Sequence, residues 1–165
     1  MVIFVSDDEE EKLLKAIEKG KNKKVKSILE KSNKNNIILN LNYKDIIGLY
    51  PLLEAIIECN IEIVKLLIDY ANQHQIILKL NEKDNDGLYP LSEAIGINNI
   101  EIVKLLIDYA NQHQIILEYN INTIISQDIR IILENYEKVK KATIKVIIFK
   151  LMVKYFINKF IYLFK

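Results

Sequence analysis

The sequence predicts an all-α fold, a helical solenoid of stacked antiparallel helix pairs, and three observations carry that expectation. The first is an internal copy: the stretch from Asn60 to Leu78 recurs without a change from Asn99 to Leu117. The second is that the same 39-residue offset continues outside the copy, taking Gly48 to Gly87, Pro51 to Pro90, Leu52 to Leu91 and Ala55 to Ala94, and running backwards from Leu52 to Leu13. The third is that Ile61, Val64, Leu67 and Ile68 inside the copy fall on one stripe at helical spacing. A unit of this length cannot bury its own apolar stripe, so each must lie against a neighbour.

Taken in order, Met1 to Val5 is apolar but lacks a basic start and meets the acidic run Ser6 to Glu11 too soon for a secretory signal, so residues 1–8 read as a lead-in. Ser6 and Glu9 have capping-box spacing and open a helix from Asp7 to Lys19. Gly20 and Asn22 break it. Lys23 to Lys31 forms a second helix with Val25, Ile28 and Leu29 inward and lysines outward, Ser32 to Asn36 is a polar breaker, and Ile37 to Asp45 is a connecting arm.

In the second unit Gly48 permits a positive φ at a turn, and Pro51 suits a first helical turn because its missing N–H would have had no partner there. A short helix from Pro51 to Glu58 precedes a longer one from Ile61 to between Asn72 and Gln75, with Asn72 suited to a left-handed end. Ile76 to Lys83 extends, and Asp84 to Gly87 turns. The third unit repeats the plan to Ile125, so the array covers residues 9–125 and residues 126–165 stand apart.

Half of the 165 residues are hydrophobic, enough for a folded core. Cys59, the sole cysteine, excludes an intramolecular disulfide and fits a reducing compartment; the expected setting is intracellular, in the cytoplasm. The net charge of +1 hides a division, because all 22 acidic residues precede Lys138 while the last 28 residues hold eight lysines and no acid. Such a split points to an interaction tail or to a tail folded back on an acidic body. The acidic body disfavours nucleic acid as a partner.

The run Asn81 to Leu91, then Ala94, then Asn99 to Leu106 resembles the ankyrin repeat, whose unit is a turn, two antiparallel helices and a projecting finger. Leu49-Tyr-Pro-Leu52 and Leu88-Tyr-Pro-Leu91 stand where that family has a Thr-Pro-Leu-His tetrapeptide. Tyr50 and Tyr89 replace the threonine, and Leu53 and Ser92 the histidine, which removes the hydrogen bonds that usually tie the start of the unit together. The period exceeds the usual 33 by about six residues. The excess falls in Asn72 to Leu80 and implies a longer second helix or an enlarged loop.

The resemblance implies a non-catalytic protein–protein interaction module, a monomer that needs no cofactor and takes another protein on a concave face of finger tips and first helices. Carried over position by position, the partner-binding residues are Ile46, Ile47, Leu49, Ile57 and Glu58 in one unit and Asn85, Asp86, Leu88, Gly96 and Ile97 in the next. The second helices of the two units are identical while these positions differ, which concentrates change where a partner would be read. Exposed Ile46, Ile47, Ile57 and Ile97 would form an apolar patch with a polar rim.

Sequence signatures of catalysis are lacking. His74 and His113, the only histidines, hold equivalent places in successive units, about 8–10 Å apart by helix packing, too far to share a metal, and read as solvated helix ends. No phosphate loop, nucleophile elbow or zinc signature occurs, and Asp84 with Asp86 reads as turn chemistry.

After Ile125 the repeat fails, since Ser126, Ile129 and Arg130 take the places of Gly87, Pro90 and Leu91. Ser126 to Tyr136 still reads as a capped helix. From Ile144 to Phe164 the chain is nearly all apolar, but Lys145, Lys150, Lys154 and Lys159 interrupt each run, which argues against a simple membrane span. Those lysines fall on several faces of a helical wheel, so an interfacial helix is imperfect. Three readings stand: a degenerate last repeat capping the stack, a segment binding anionic membrane through residues 138–165, or a divergent end prone to aggregation.

Overall fold

In the computed structural model the described residues are 8–120, 124 and 126–163. Seven helices occur among them: α1 (Asp8–Glu18), α2 (Asn22–Lys34), α3 (Pro51–Ile57), α4 (Ile61–His74), α5 (Pro90–Gly96), α6 (Ile100–His113) and α7 (Gln127–Leu163). The capping box expected at Ser6 and the array's end at residues 121–123 and 125 lie outside the described residues.

Helices α1 to α6 form three antiparallel pairs. The first helices α1, α3 and α5 pack in one row and the second helices α2, α4 and α6 in another, each pair closing across the two rows. Leu13, Ile17, Leu52, Ala55, Leu91 and Ala94 from the first row, and Val25, Ile63, Val64, Leu67, Ile102, Val103 and Leu106 from the second, are buried. The stripe read from the sequence is corrected in part, because Ile63 rather than Ile61 and Ile68 joins Val64 and Leu67 in the core, while those two are half-buried.

Local chemistry explains the boundaries. Pro51 and Pro90 open α3 and α5 in the first turn, with Tyr50 and Tyr89 before them in the extended backbone that a following proline favours. Asn60 and Asn99 cap α4 and α6 by accepting from the amides of Ile63 at 3.1 Å and Ile102 at 3.0 Å. Both 14-residue helices end at Gln75 and Gln114, in the left-handed conformation at φ 56° and 58°. The expectation of that role for Asn72 is thus corrected. Asn72 stays helical and spends its side chain on the next unit, where its Oδ1 lies 2.8 Å from His113 Nε2.

Two further expectations change. Helix α2 extends three residues into the supposed breaker, to Lys34, with the Ser32 hydroxyl donating to the Leu29 carbonyl at 2.7 Å and lying 3.0 Å from the Tyr70 hydroxyl, and the break itself falls at Asn36, left-handed at φ 54°. The expected loss of hydrogen bonds at the start of the unit is corrected in the third unit, where Ser92 Oγ accepts from the Tyr89 amide at 3.0 Å, and in the second Tyr50 Oη bonds instead to the carbonyls of Lys79 at 3.1 Å and Glu82 at 2.8 Å in the following arm.

Successive units are also stitched by a side-chain ladder at the repeat period. Asn42 donates to the Ile77 carbonyl and accepts from the Lys79 amide; Asn81 does the same to Ile116 and Glu118. His74 and His113 are corrected likewise. Each ring lies against the tyrosine four residues before it, with centroids 4.3 and 4.2 Å apart, and meets an asparagine of the preceding unit, Asn33 or Asn72. They are rungs between repeats rather than solvated ends.

Helix α7 is continuous over 37 residues, without the break that would make a fourth pair. The chain divides into two compact units, residues 1–129 and 130–165. Within the second, Leu133 and Tyr136 are buried, whereas Val139, Ile144, Val146, Ile147, Ile148, Phe149, Leu151, Met152, Val153, Tyr155 and Ile157 are exposed. No helix among the described residues is long and apolar enough to cross a membrane.

Candidate partner-binding face

Each finger tip is built by one aspartate. Asp45 Oδ1 accepts from the amides of Ile47 at 3.0 Å and Leu49 at 2.9 Å, and Asp84 Oδ1 accepts from Asp86 at 2.9 Å and Leu88 at 2.8 Å. Gly48 and Gly87 complete the two turns at φ 84°. They differ in one respect. A Cβ on Gly48 would stand 2.9 Å from the backbone nitrogen of Asn85, because the neighbouring finger packs there, whereas nothing lies within 4 Å of the same position on Gly87. Asn85 fixes the register of the two tips by donating from its backbone to Ile47 and from its side chain to Ile46, both at 3.2 Å.

That turn turns aliphatic side chains outward. Ile46 is 96% exposed, Ile47 53% and Leu88 37%. Asp86 is exposed, and Asn85 is exposed yet committed to the neighbouring finger. Leu49, Ile57 and Ile97 are half-buried, and Glu58 and Gly96 are exposed at the far ends of α3 and α5. Of the four isoleucines expected to be exposed, Ile46 and Ile47 are, while Ile57 and Ile97 are half-buried.

Beside the first finger a hollow of about 350 Å³ opens, walled by Glu11, Leu14, Lys15 and Glu18 of α1, by Tyr43, Asp45, Ile46, Ile47 and Leu49 of the finger, and by Glu54 of α3. It gathers Ile46, Ile47 and Leu49, but neither Ile57 nor Glu58. Sequence reasoning missed the α1 residues and Glu54. Periodicity assigns Leu14 to the core and the charged residues to a solvated face, and does not reveal that a finger thirty residues on would wall them in.

The hollow is acidic, with four carboxylates against one ammonium. Lys15 is held by Glu11 at 2.6 Å. Glu54 is only 5% exposed, and among the described residues its side chain has no hydrogen-bond or ion-pair partner. Burial pushes its carboxyl above the ordinary value of 4.5, and the charges of Glu58, Glu18 and Asp45 push it the same way. Among the described residues no cluster of His, Cys, Asp and Glu could hold a metal ion.

Paired helices stacked in two rows, with fingers projecting at the repeat period, define a helical-repeat solenoid. In comparison with known protein families, residues 13–116 match the family described as ankyrin repeats, in three copies. The chain belongs to that family, whose members are generally protein–protein interaction modules and typically not enzymes. No curated protein gives a significant match.

Proposed function

We propose that the chain is a non-catalytic binding module that takes another protein along the face made by its finger tips and first helices. The observation that carries this reading is the outward row of Ile46, Ile47 and Leu88, aliphatic side chains held in solvent by turns that the aspartates and glycines make rigid. Exposing such residues costs hydration free energy, and a rigid apolar row with a charged border suits a protein partner. A photo-crosslinking residue placed at Ile46 or Leu88 should capture a partner that the same residue at Lys104, on the exposed side of α6, does not. Equal capture at all three positions would remove the assignment.

A second reading is favoured by α7. Its exposed aliphatic and aromatic residues from Val139 to Ile157 lie among Lys141, Lys145, Lys150 and Lys154 with no acid after Glu137, a composition suited to an anionic membrane surface. Co-sedimentation of the full chain with anionic vesicles, released by salt and abolished by Lys145→Glu with Lys150→Glu, would support peripheral membrane binding. Sedimentation unaffected by either would dismiss it.

A further inference from the structure

We propose that the hollow beside the first finger is a socket for a cationic side chain, and that the segment recognised carries an arginine or lysine between aliphatic residues. The inference rests on the finger-face reading above and deepens it. Glu54 is the anchoring observation. A glutamate nine-tenths buried as a residue ordinarily pairs its carboxylate, because taking that group even partly out of water unpaired is costly. Glu54 has no partner among the described residues, yet it lines an open hollow.

The surroundings sharpen the expected ligand. Glu18 and Asp45 stand near enough to Glu54 to raise its proton affinity, so the site holds more negative charge than it can neutralise. The one cation in the wall, Lys15, is engaged by Glu11 at 2.6 Å. An incoming guanidinium or ammonium would gain a charge-assisted hydrogen bond from a carboxylate already partly desolvated, and would relieve the repulsion among the three acids. Leu14 at the floor and Ile46 and Ile47 at the rim supply apolar surface for the stem of that side chain and for its aliphatic neighbours. The next unit does not repeat the socket: its counterpart of Glu54, Glu93, is half-buried rather than buried. One cationic residue per bound segment is therefore expected at this place.

The test uses a displayed library of random twelve-residue peptides selected on the full chain, followed by synthetic copies of the selected sequences. Selected peptides should carry a basic residue, and replacing it by glutamine should weaken binding roughly 10- to 100-fold, the range of a charged hydrogen bond. Glu54→Gln should weaken the parent peptide equally, and the two changes together should cost little more than either alone, the signature of a direct pair. Melting curves establish that Glu54→Gln is folded. Peptides that lose binding on Ile46→Ser or Ile47→Ser but are indifferent to Glu54→Gln would overturn the socket while leaving the finger face standing. Peptides indifferent to all three variants, or no selection at all, would overturn both.

Discussion

Glu54 shows how one residue can work against stability. Its folded-state proton affinity is raised, first by burial and then by Glu58, Glu18 and Asp45, so the folded chain binds a proton more tightly than the unfolded chain does. Stability therefore falls as pH rises from the unfolded value near 4.5 through the raised folded value, and the full penalty is present above it. Glu54→Gln removes the charge and keeps the shape. The expected outcome is a variant that melts at the same temperature as the parent in acid and at a higher temperature at neutral pH. A neutral-pH melting point at or below the parent's would show that the carboxylate is better accommodated than its surroundings suggest. A stabilising substitution that weakens peptide binding would mark Glu54 as held for recognition rather than for the fold.

At the scale of the element, tyrosine takes over the joints between units. Tyr109 Oη accepts from the Leu78 amide at 3.0 Å and donates to the Ile76 carbonyl at 3.0 Å, and the ring is buried. Tyr70 does the same one repeat earlier, accepting from the Leu39 amide at 3.1 Å and reaching the Ile37 carbonyl at 3.3 Å. Each therefore ties its own second helix to the arm that precedes it in the chain. Tyr109→Phe would leave a buried amide and its neighbouring carbonyl without that partner, at a cost of about 1–3 kcal/mol. In urea the midpoint should fall while the slope stays that of the parent. An unchanged midpoint would mean that water replaces the hydroxyl. The helices themselves were legible in the sequence because Leu13, Leu52 and Leu91 recur at one period and proline and asparagine punctuate the ends. The joints were not, since a tyrosine on an apolar stripe reads as core until its hydroxyl's partner, some thirty residues away, is known. The same holds for the face: the turn at Asp45 to Gly48 announces a finger, but which first-helix side chains wall the hollow depends on packing between units.

At the scale of the whole molecule, the division of charge at Lys138 is matched by a division in how side chains are used. Before it, helices gain their stability by burying stripes against neighbours. From Lys141 to Tyr155 the side chains of α7 are exposed, so that segment gains little from burial and depends on helical hydrogen bonds and intrinsic propensity. Its residues are poor choices for that task, because Ile, Val, Phe and Tyr lose rotamer freedom in a helix and stand below Ala, Leu and Lys in propensity. A helical segment of this composition with exposed side chains should open often. Hydrogen exchange of the free full chain should accordingly show the amides of residues 141–157 exchanging orders of magnitude faster than those of α4 and α6, whose inward faces are buried. Adding anionic vesicles at low salt should slow the tail amides and leave the array unchanged, since a surface that accepts the aliphatic residues and neutralises the lysines supplies the missing burial. Tail protection that is already high without vesicles, and that rises with protein concentration, would instead mean that copies of the chain cover one another's tails. Slow tail exchange with neither dependence would place the cover within the chain itself, and the membrane reading would fall.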